Sequence, residues 1–224
     1  MISANKRPVI TFSPVQVSRK DEIAAGVFVI RFPRIHTFRA GQVVAVRMHE
    51  GEDHRLYSIA SGEADAESGI LFDLNPEGLL TPRLAAMNPG EILQVSQPFG
   101  FFTDDERPAW WIATGTGIAP FYSMFNSLDT STKTLIHGGR ANDSFYFQKE
   151  FFAGLGERYI RCSSTAKGDG IYPGRLTAWL KDQKELDPEL RYFLCGNAEM
   201  VVDVRDYLIS RGVPFTHVRA EIYF

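Results

Sequence analysis

Short apolar runs separated by turn residues make up the first part of the chain. Six of these runs are rich in β-branched and aromatic residues, and turn signals such as Asn88-Pro89-Gly90 lie between them. The runs cover residues 15–17, 27–32, 42–47, 55–60, 70–74 and 91–96. Residues 81–87 instead predict a short helix, with Thr81 as its cap and Pro82 at its first position. The spacing indicates a six-stranded antiparallel β-barrel, whose closure leaves no sheet edge unpaired.

Near residue 108 the pattern changes to apolar four-residue runs that alternate with helical segments. The runs predict strands at residues 110–113, 134–137, 159–162 and 192–195. Helices are predicted at residues 120–128, 145–154, 175–180 and 199–210. This alternation indicates βαβ units and a Rossmann-like parallel sheet. The acidic, proline-containing segment 103–108 divides the chain into predicted domains of residues 1–103 and 104–224.

The composition limits the classes of protein to consider. The chain has 224 residues, 44% of them hydrophobic, and a net charge of −3, which gives no case for nucleic-acid binding. No apolar run approaches the roughly 18 residues that span a bilayer, and residues 1–11 lack the apolar core of a signal peptide. We therefore expect a cytoplasmic enzyme without membrane insertion. The two cysteines, Cys162 and Cys195, are too few for a cysteine-ligated [2Fe–2S] cluster or a Cys-x-x-Cys zinc site.

One predicted strand contains the motif Arg55-Leu56-Tyr57-Ser58. Because side chains alternate along a strand, Arg55 and Tyr57 are expected to project together and Ser58 to the other side. Arg55 suits a diphosphate, and Tyr57 and Ser58 suit a flat ring with a polar edge, which together describe a flavin. A half-buried strand with an aromatic core residue would contain the same residues.

The segment of residues 76–84 is a loop that enters the predicted short helix. The exposed N–H groups of its first turn, together with the Thr81 hydroxyl, suit the same diphosphate. A capped helix that needs no ligand is the alternative.

A glycine turn at residues 113–120 follows the first strand of the second domain and leads into a helix. Gly115 and Gly117 would let a nucleotide approach the backbone, although Pro120 stands where the full Gly-x-Gly-x-x-Gly motif has its third glycine. Arg140 lies where an acidic residue would favour NAD, and it favours the 2′-phosphate of NADP. It could equally be a solvated loop arginine. Ser164, Lys167 and Arg175 are placed to complete a phosphate pocket.

Residues 195–197 and 221–224 are two further candidate ligand-binding segments. Cys195-Gly196-Asn197 closes the fourth predicted strand, and open α/β sheets bind ligands outside the carboxyl ends of their strands. A buried cysteine followed by a turn glycine is the plainer interpretation. The string Glu221-Ile222-Tyr223-Phe224 carries two aromatics, which docking on a flat cofactor would explain.

Together these motifs resemble the ferredoxin/flavodoxin–NADP reductase family, and the bacterial type in particular, over nearly the whole chain. The resemblance lies in residues 78–84, 89–91, 100–102, 114–120, 195–197 and 221–224. It implies an FAD-binding barrel followed by an NADP-binding α/β domain. It also implies hydride transfer between NADP(H) and FAD, with single electrons passing to or from a small acidic ferredoxin or flavodoxin.

The resemblance also implies a role for each matching residue. Those implied to contact FAD are Arg55, Leu56, Tyr57, Ser58, Phe72, Leu74, Leu79, Leu80, Thr81, Thr116, Tyr223 and Phe224. Those implied to contact NADP are Gly115, Thr116, Gly117, Gly139, Arg140, Ser164, Thr165, Lys167, Arg175, Cys195, Gly196 and Asn197. The implied catalytic group is Ser58, Cys195, Glu221 and Tyr223, in which the Tyr223 ring stacks on the flavin and yields to nicotinamide. Phe224 is implied to cover the FAD adenine.

One departure from the family pattern leaves the nucleotide open. Bacterial members usually have a Ser-Arg pair after the third strand, whereas this chain has Ser164-Thr165. Lys167 can compensate only as a less directional charge. An NADH-dependent reductase that serves an oxygenase or reduces free flavin therefore stays an alternative. So does a non-enzymatic FAD-binding electron-transfer subunit, although the glycine turn and Arg140 argue against it.

The partner of such an enzyme is expected to be acidic. The basic residues Arg34, Arg39 and Arg83 are candidates for steering it to the flavin edge. The protein itself is expected to be a monomer.

Overall fold

The structure, a computed structural model, describes residues 10–223. The first seven strands of this part are β1 (Phe12–Gln16), β2 (Arg19–Ala24), β3 (Val27–Pro33), β4 (Val43–Arg47), β5 (Arg55–Ser58), β6 (Glu67–Asp73) and β7 (Ile92–Ser96). They form two antiparallel sheets, ordered β1-β7-β4-β5 and β2-β3-β6. A bridge between Ile59 and Ile70 joins the end of β5 to β6, which gives the barrel-like arrangement predicted.

The apolar faces of the two sheets form one core. Val44 and Leu93 from the first sheet and Ile70 and Phe72 from the second are at most 3% exposed. Helix α1 (Thr81–Ala86) adds Leu84, which is fully buried. Burying one such side chain contributes about 1.5–3 kcal/mol, so these residues decide which face of each strand points inward.

Two details of this half differ from the predictions. Within the described residues the half has seven strands, one more than predicted, because β2 reads RKDEIA and has no apolar alternation to detect. It pairs with β3 through its backbone and is largely exposed. The predicted helix is confirmed, but its N-cap is Leu80, and Thr81 lies inside the first turn.

The second half alternates strands and helices. Its strands are β8 (Ala109–Thr114), β9 (Lys133–Gly138), β10 (Tyr159–Ser163), β11 (Ile171–Pro173), β12 (Arg191–Asn197) and β13 (Val218–Tyr223). Its helices are α2 (Ala119–Phe125), α3 (Gln148–Leu155), α4 (Leu176–Asp182) and α5 (Ala198–Ser210). The strands pair in parallel in the order β11-β10-β9-β8-β12-β13, which confirms the Rossmann-like prediction.

The two edge strands of this sheet were not predicted. β11 has three residues and ends in proline, too short a run to stand out. β13 mixes charged and apolar residues, and it is a strand because all six of its residues pair with β12. This pairing sets Cys195 opposite Glu221 and Asn197 opposite Tyr223.

The strand order reverses at β8, where the chain leaves towards β9 and later returns on the other side as β12. Open α/β sheets bind ligands outside the carboxyl ends of strands at such a switch point. Thr114 ends β8 and Asn197 ends β12, so these two residues mark the place to look for a site.

A buried ion pair fixes the segment between the two halves. Lys133 Nζ donates to Asp104 Oδ1 at 2.7 Å and to the Arg107 carbonyl oxygen at 2.6 Å. Trp111 Nε1 donates to Asp104 Oδ2 at 2.8 Å, and neither member of the ion pair is exposed to solvent. The predicted acidic link is thus attached to β8 and β9. The division into domains at residues 103 and 104 stays a prediction.

Among residues 10–223, no helix is long and apolar enough to cross a membrane.

Candidate active site

The turn that follows β8 lies directly against the end of β12. A Cβ atom on Gly117 would lie 2.4 Å from the Cys195 carbonyl oxygen, so no larger residue fits there. Gly115 has a φ of +56°, and a Cβ atom there would meet nothing within 4 Å. Of the two glycines predicted to admit a nucleotide, Gly115 faces open space, whereas Gly117 makes room for the neighbouring strand. Thr116 lies half-buried between them.

Three distant segments bring the predicted catalytic residues together. Ser58 Oγ donates a hydrogen bond to Glu221 Oε2 at 3.0 Å, and the Tyr223 hydroxyl donates to Ser58 Oγ. Cys195 stands opposite Glu221 in the sheet. Ser58 and Cys195 are at most 1% exposed. We call Ser58, Cys195, Glu221 and Tyr223 the junction cluster, since they join the barrel to the parallel sheet.

Burial governs the ionisation of the junction cluster. It raises the pKa of Glu221 above its usual 4.5, and the hydrogen bond from Ser58 opposes this shift. Burial also raises the pKa of the Cys195 thiol well above 9.0, and the neighbouring Glu221 carboxyl adds to the effect. Cys195 is therefore a neutral thiol near pH 7 and not a thiolate nucleophile. Both Glu221 and Cys195 therefore keep their protons to higher pH than usual.

The flavin motif of β5 divides into a surface part and a buried part. Arg55 is exposed, and Nη1 donates to the His54 carbonyl oxygen at 3.1 Å. Within residues 10–223 its other guanidinium donors make no hydrogen bond. The Tyr57 ring packs edge-to-face on Phe72 with 6.2 Å between centroids, and burial raises the pKa of Tyr57 to about 12. Leu56 is 54% exposed.

The other predicted flavin contacts of the barrel differ in exposure. Phe72 and Leu80 are 2% and 7% exposed and belong to the barrel core. Leu74 and Leu79 are 37% and 78% exposed. Of these four residues, only Leu74 and Leu79 therefore offer their side chains at the surface, whereas Phe72 packs against the Tyr57 ring.

The Thr81 hydroxyl is used within its own loop. The Asn75 N–H donates to Thr81 Oγ1 at 3.0 Å, and Thr81 Oγ1 donates to the Asn75 carbonyl oxygen at 3.2 Å. The prediction that this hydroxyl caps the helix is wrong, because it closes the loop that precedes α1. Its predicted contact with a diphosphate stays a prediction.

The residues predicted to bind NADP gather where β9 and β10 end. Cys162 of β10 lies opposite Gly138 of β9, so the two following loops are neighbours. These loops expose the side chains of Arg140, Ser164, Thr165 and Lys167. Arg175 is exposed at the N-cap of α4, close to the same strand ends because a Cβ on Gly138 would lie 2.5 Å from Leu176 Cδ2.

The amide oxygen and the backbone N–H of Asn197 make hydrogen bonds within the protein. Its Oδ1 accepts hydrogen bonds from the N–H groups of Glu199 at 3.0 Å and Met200 at 3.4 Å, which caps α5. Its N–H donates to Thr114 Oγ1 at 3.2 Å. Of the predicted Cys195-Gly196-Asn197 contacts, the amide oxygen of Asn197 is therefore engaged in the helix cap. Gly196 lies against Thr114, where a Cβ would come 2.4 Å from its Oγ1.

An open cleft of about 680 Å³ adjoins the junction cluster. Its walls are formed by Phe101, Phe102, Thr103, Arg219, Ala220 and Glu221. Arg219 Nη1 donates to the Thr103 carbonyl oxygen at 2.6 Å, and Phe101 is 94% exposed. Sequence reasoning missed Arg219. In β13, which the sequence did not predict, side-chain alternation sets residues 219, 221 and 223 on one face. Phe224, predicted to cover the adenine, lies outside the described residues.

Known proteins similar to this chain include flavodoxin/ferredoxin–NADP reductases. A family model described as the oxidoreductase NAD-binding domain matches residues 111–206. The chain is 32% identical to the flavodoxin/ferredoxin–NADP reductase of Escherichia coli K12 over 195 residues, which covers 75% of this chain and 77% of the relative. It is 31% identical to ferredoxin–NADP reductase B of Sorangium cellulosum over 208 residues, which covers 83% of this chain and 85% of the relative.

Two other similarities extend the group. The electron transfer component of toluate 1,2-dioxygenase from Pseudomonas putida is 28% identical over 79% of this chain, and the match spans 56% of that relative's length. The solved structure of a ferredoxin NADP+ reductase from Neisseria gonorrhoeae, with bound FAD and NADP, has the same fold. Its TM-score is 0.85 at 23% identity, over 95% of this chain and 99% of that one.

Proposed function

Since the chain belongs to the ferredoxin/flavodoxin–NADP reductase family, we propose that it transfers hydride between NADP(H) and FAD and exchanges single electrons with a ferredoxin or flavodoxin. It is a flavoprotein oxidoreductase with FAD and NADP(H) as its cofactors. The junction cluster is the observation that carries the proposal. The hydrogen bond from Ser58 Oγ to Glu221 Oε2, 3.0 Å long, joins β5, which carries the flavin motif, to the edge strand β13 of the parallel sheet.

The described residues fit a flavin dinucleotide. Arg55 offers a planar set of donors at the surface, which matches a diphosphate. Tyr57 offers an aromatic ring that Phe72 supports from behind, and Ser58 ends the strand with a polar group. When bound, FAD accepts a hydride and passes electrons on one at a time. The protein would bind FAD and orient it through these residues.

The junction cluster would prepare the place where nicotinamide reacts. Burial raises the pKa of Glu221, so its carboxyl group keeps its proton to higher pH than usual, and Ser58 is oriented by donating to it. Tyr223 in turn donates to Ser58 and occupies space next to it. Cys195 adds a fully buried, neutral thiol near the end of β12, opposite Glu221.

NADPH is the proposed nucleotide because three exposed cations, Arg140, Lys167 and Arg175, surround the ends of β9 and β10. Thr165 keeps an NADH-dependent oxygenase reductase as the second candidate, since it stands where bacterial relatives usually have an arginine. The similarity to a dioxygenase electron transfer component favours the same candidate.

The test is an anaerobic titration of the purified protein with NADPH and then NADH, followed by visible absorption. Bleaching of the flavin at far lower NADPH than NADH concentrations is expected. Preferential bleaching by NADH would favour the oxygenase reductase. A bound flavin that neither nucleotide reduces would indicate a non-enzymatic electron-transfer subunit.

Glu221 predicts how flavin reduction depends on pH. Its pKa is raised, so the carboxyl stays neutral above the usual 4.5 and ionises only as pH rises further. Ionisation would set a negative charge beside the centre that receives the hydride, so the reduction rate should fall as pH rises through this raised pKa. Stopped-flow reduction by NADPH measures it. This fall in rate with pH should vanish in Glu221→Gln. It should persist in the control Glu199→Gln, whose exposed carboxyl lies on α5. A fall in rate that survives in Glu221→Gln would contradict the assignment to Glu221.

Of the three arginines predicted to steer the carrier, Arg39 is the least engaged with other described residues. Arg83 pairs with Glu52 at 3.0 Å, and Arg34 Nη1 donates to the Glu63 carbonyl oxygen at 2.6 Å. Arg39 is exposed, and within the described part of the chain its guanidinium makes no ion pair. We expect the enzyme to act in the cytoplasm as a monomer.

A further inference from the structure

One buried hydroxyl joins the two loops of the nucleotide end. Ser163, the last residue of β10, is 1% exposed. Its Oγ donates to the Arg140 carbonyl oxygen at 2.9 Å. Ser163 Oγ itself accepts hydrogen bonds from the N–H groups of Thr165 at 3.2 Å and Ala166 at 2.9 Å. A hydroxyl has one donor and two lone pairs, so Ser163 uses all of its capacity inside the protein.

The Arg140 carbonyl oxygen receives a second hydroxyl. Thr165 Oγ1 also donates to it, so two side chains from the loop after β10 hold one carbonyl of the loop after β9. The Gly139 N–H donates to the Cys162 carbonyl oxygen at 3.0 Å, which ties the preceding residue to the same strand. The backbone of Arg140 is therefore held from both sides, while its side chain remains exposed.

We propose that Ser163, assisted by Thr165, is a positioning residue that sets Arg140 for the 2′-phosphate of NADPH. The inference rests on the proposed function and deepens it. Thr165 supplies no cation, as an arginine at that position would, but it restrains the backbone of the cation that is present. Restraint before binding lowers the conformational entropy lost when the phosphate is bound. The selectivity of the enzyme would then depend on a side chain that does not touch the nucleotide.

The test uses binding alone, on the FAD-loaded protein. Dissociation constants for adenosine 2′,5′-bisphosphate and for AMP are measured by titration calorimetry, and their ratio reports the 2′-phosphate. Ser163→Ala should weaken the bisphosphate about five- to tenfold, the size of one net hydrogen bond, and leave AMP nearly unchanged. The matched control is Ser123→Ala, which removes another buried hydroxyl that donates to a carbonyl, that of Ser61 at 2.6 Å. It should leave the ratio unchanged.

Arg140→Ala, alone and combined with Ser163→Ala, distinguishes a failure of the 2′-phosphate assignment from a failure of the Ser163 inference. Arg140→Ala should abolish most of the preference for the bisphosphate, and Ser163→Ala should add nothing in that background. If Arg140→Ala leaves the ratio unchanged, the 2′-phosphate assignment and this inference both fail. If Arg140→Ala lowers the ratio but Ser163→Ala does not, only this inference is overturned. Should Ser163→Ala not fold, Thr165→Val removes the other hydroxyl at the same carbonyl from an exposed position and is expected to lower the ratio in the same direction.

Discussion

Replacing Lys133 by methionine is expected to lower the free energy of unfolding by about 3 kcal/mol or more, because one half of a buried ion pair is left uncompensated. Lys133 and Asp104 are both fully buried, and their charged atoms are 2.7 Å apart. Methionine fills similar space but leaves the Asp104 carboxylate without a cation. It also leaves the Arg107 carbonyl oxygen without its donor.

The hydrogen bonds that remain on Asp104 set the size of this loss. Trp111 Nε1 at 2.8 Å and the Glu106 N–H at 2.7 Å still donate to the carboxylate. They compensate part of its charge, so the expected loss lies at the lower end of the roughly 3–5 kcal/mol usual for a broken buried pair. The double variant Lys133→Met with Asp104→Asn should recover part of the loss, since no charge is then buried.

Urea unfolding followed by tryptophan fluorescence measures this effect. The chain has 3 tryptophans, Trp110, Trp111 and Trp179, and all of them lie in the α/β half, so the signal reports that half. All variants are compared at the same saturating FAD concentration, since a bound cofactor itself adds stability. The exposed Lys181→Met is the matched control. A loss below about 1 kcal/mol for Lys133→Met would mean that the pair contributes little, as surface pairs do.

The sequence predicted most of the fold because the core strands are apolar. Strands β8, β9 and β12 were found from runs that are buried on both faces of the sheet, and β3, β4 and β6 from their apolar residues. The strands that escaped, β2, β11 and β13, lie at sheet edges, where backbone pairing holds a strand whose side chains carry little signal. These three strands are therefore the part of this fold that periodicity does not reveal, whereas the edge strands β1 and β5 were found from their apolar runs.

For the candidate site, residue types were easier to predict than their contacts. Ser58 and Glu221 were named from separate motifs, but their hydrogen bond joins residues 163 positions apart and depends on how the two halves meet. Thr81 and Asn197 are residue types that bind ligands and also cap helices or close loops, and here their polar atoms satisfy the backbone. Ser163 was missed for the opposite reason, since a buried serine at a strand end has no pattern of its own.

The variant Tyr223→Ser is expected to raise kcat/KM for NADH by about tenfold to a hundredfold. Tyr223 extends along β13 to place its hydroxyl on Ser58, the residue that ends the flavin motif. On the proposed function nicotinamide enters beside the same residue, so the tyrosine ring and the nicotinamide would compete for one place. If the ring occupies this place in all but a few per cent of molecules, apparent affinity falls by the same factor.

The two nucleotides should respond unequally to this variant. NADPH keeps its proposed 2′-phosphate contacts at Arg140, so removing the competition makes it bind more tightly and leave more slowly, and release then limits turnover. NADH lacks those contacts, so its release stays fast, and its turnover rises when the tyrosine ring no longer competes with nicotinamide. The ratio of kcat with NADPH to kcat with NADH should therefore fall. Steady-state kinetics with both nucleotides, and the KM and kcat of each taken separately, measure it.

Tyr223→Phe separates the ring from its hydroxyl. It keeps the aromatic ring and removes only the hydrogen bond to Ser58. If ring occupancy controls entry, Tyr223→Phe should retain most of the NADPH preference while Tyr223→Ser loses it. If instead both variants lose it equally, the hydrogen bond to Ser58 holds the site together and competition for the place is not the cause. Unchanged selectivity in Tyr223→Ser would show that the tyrosine does not stand in the path of nicotinamide at all.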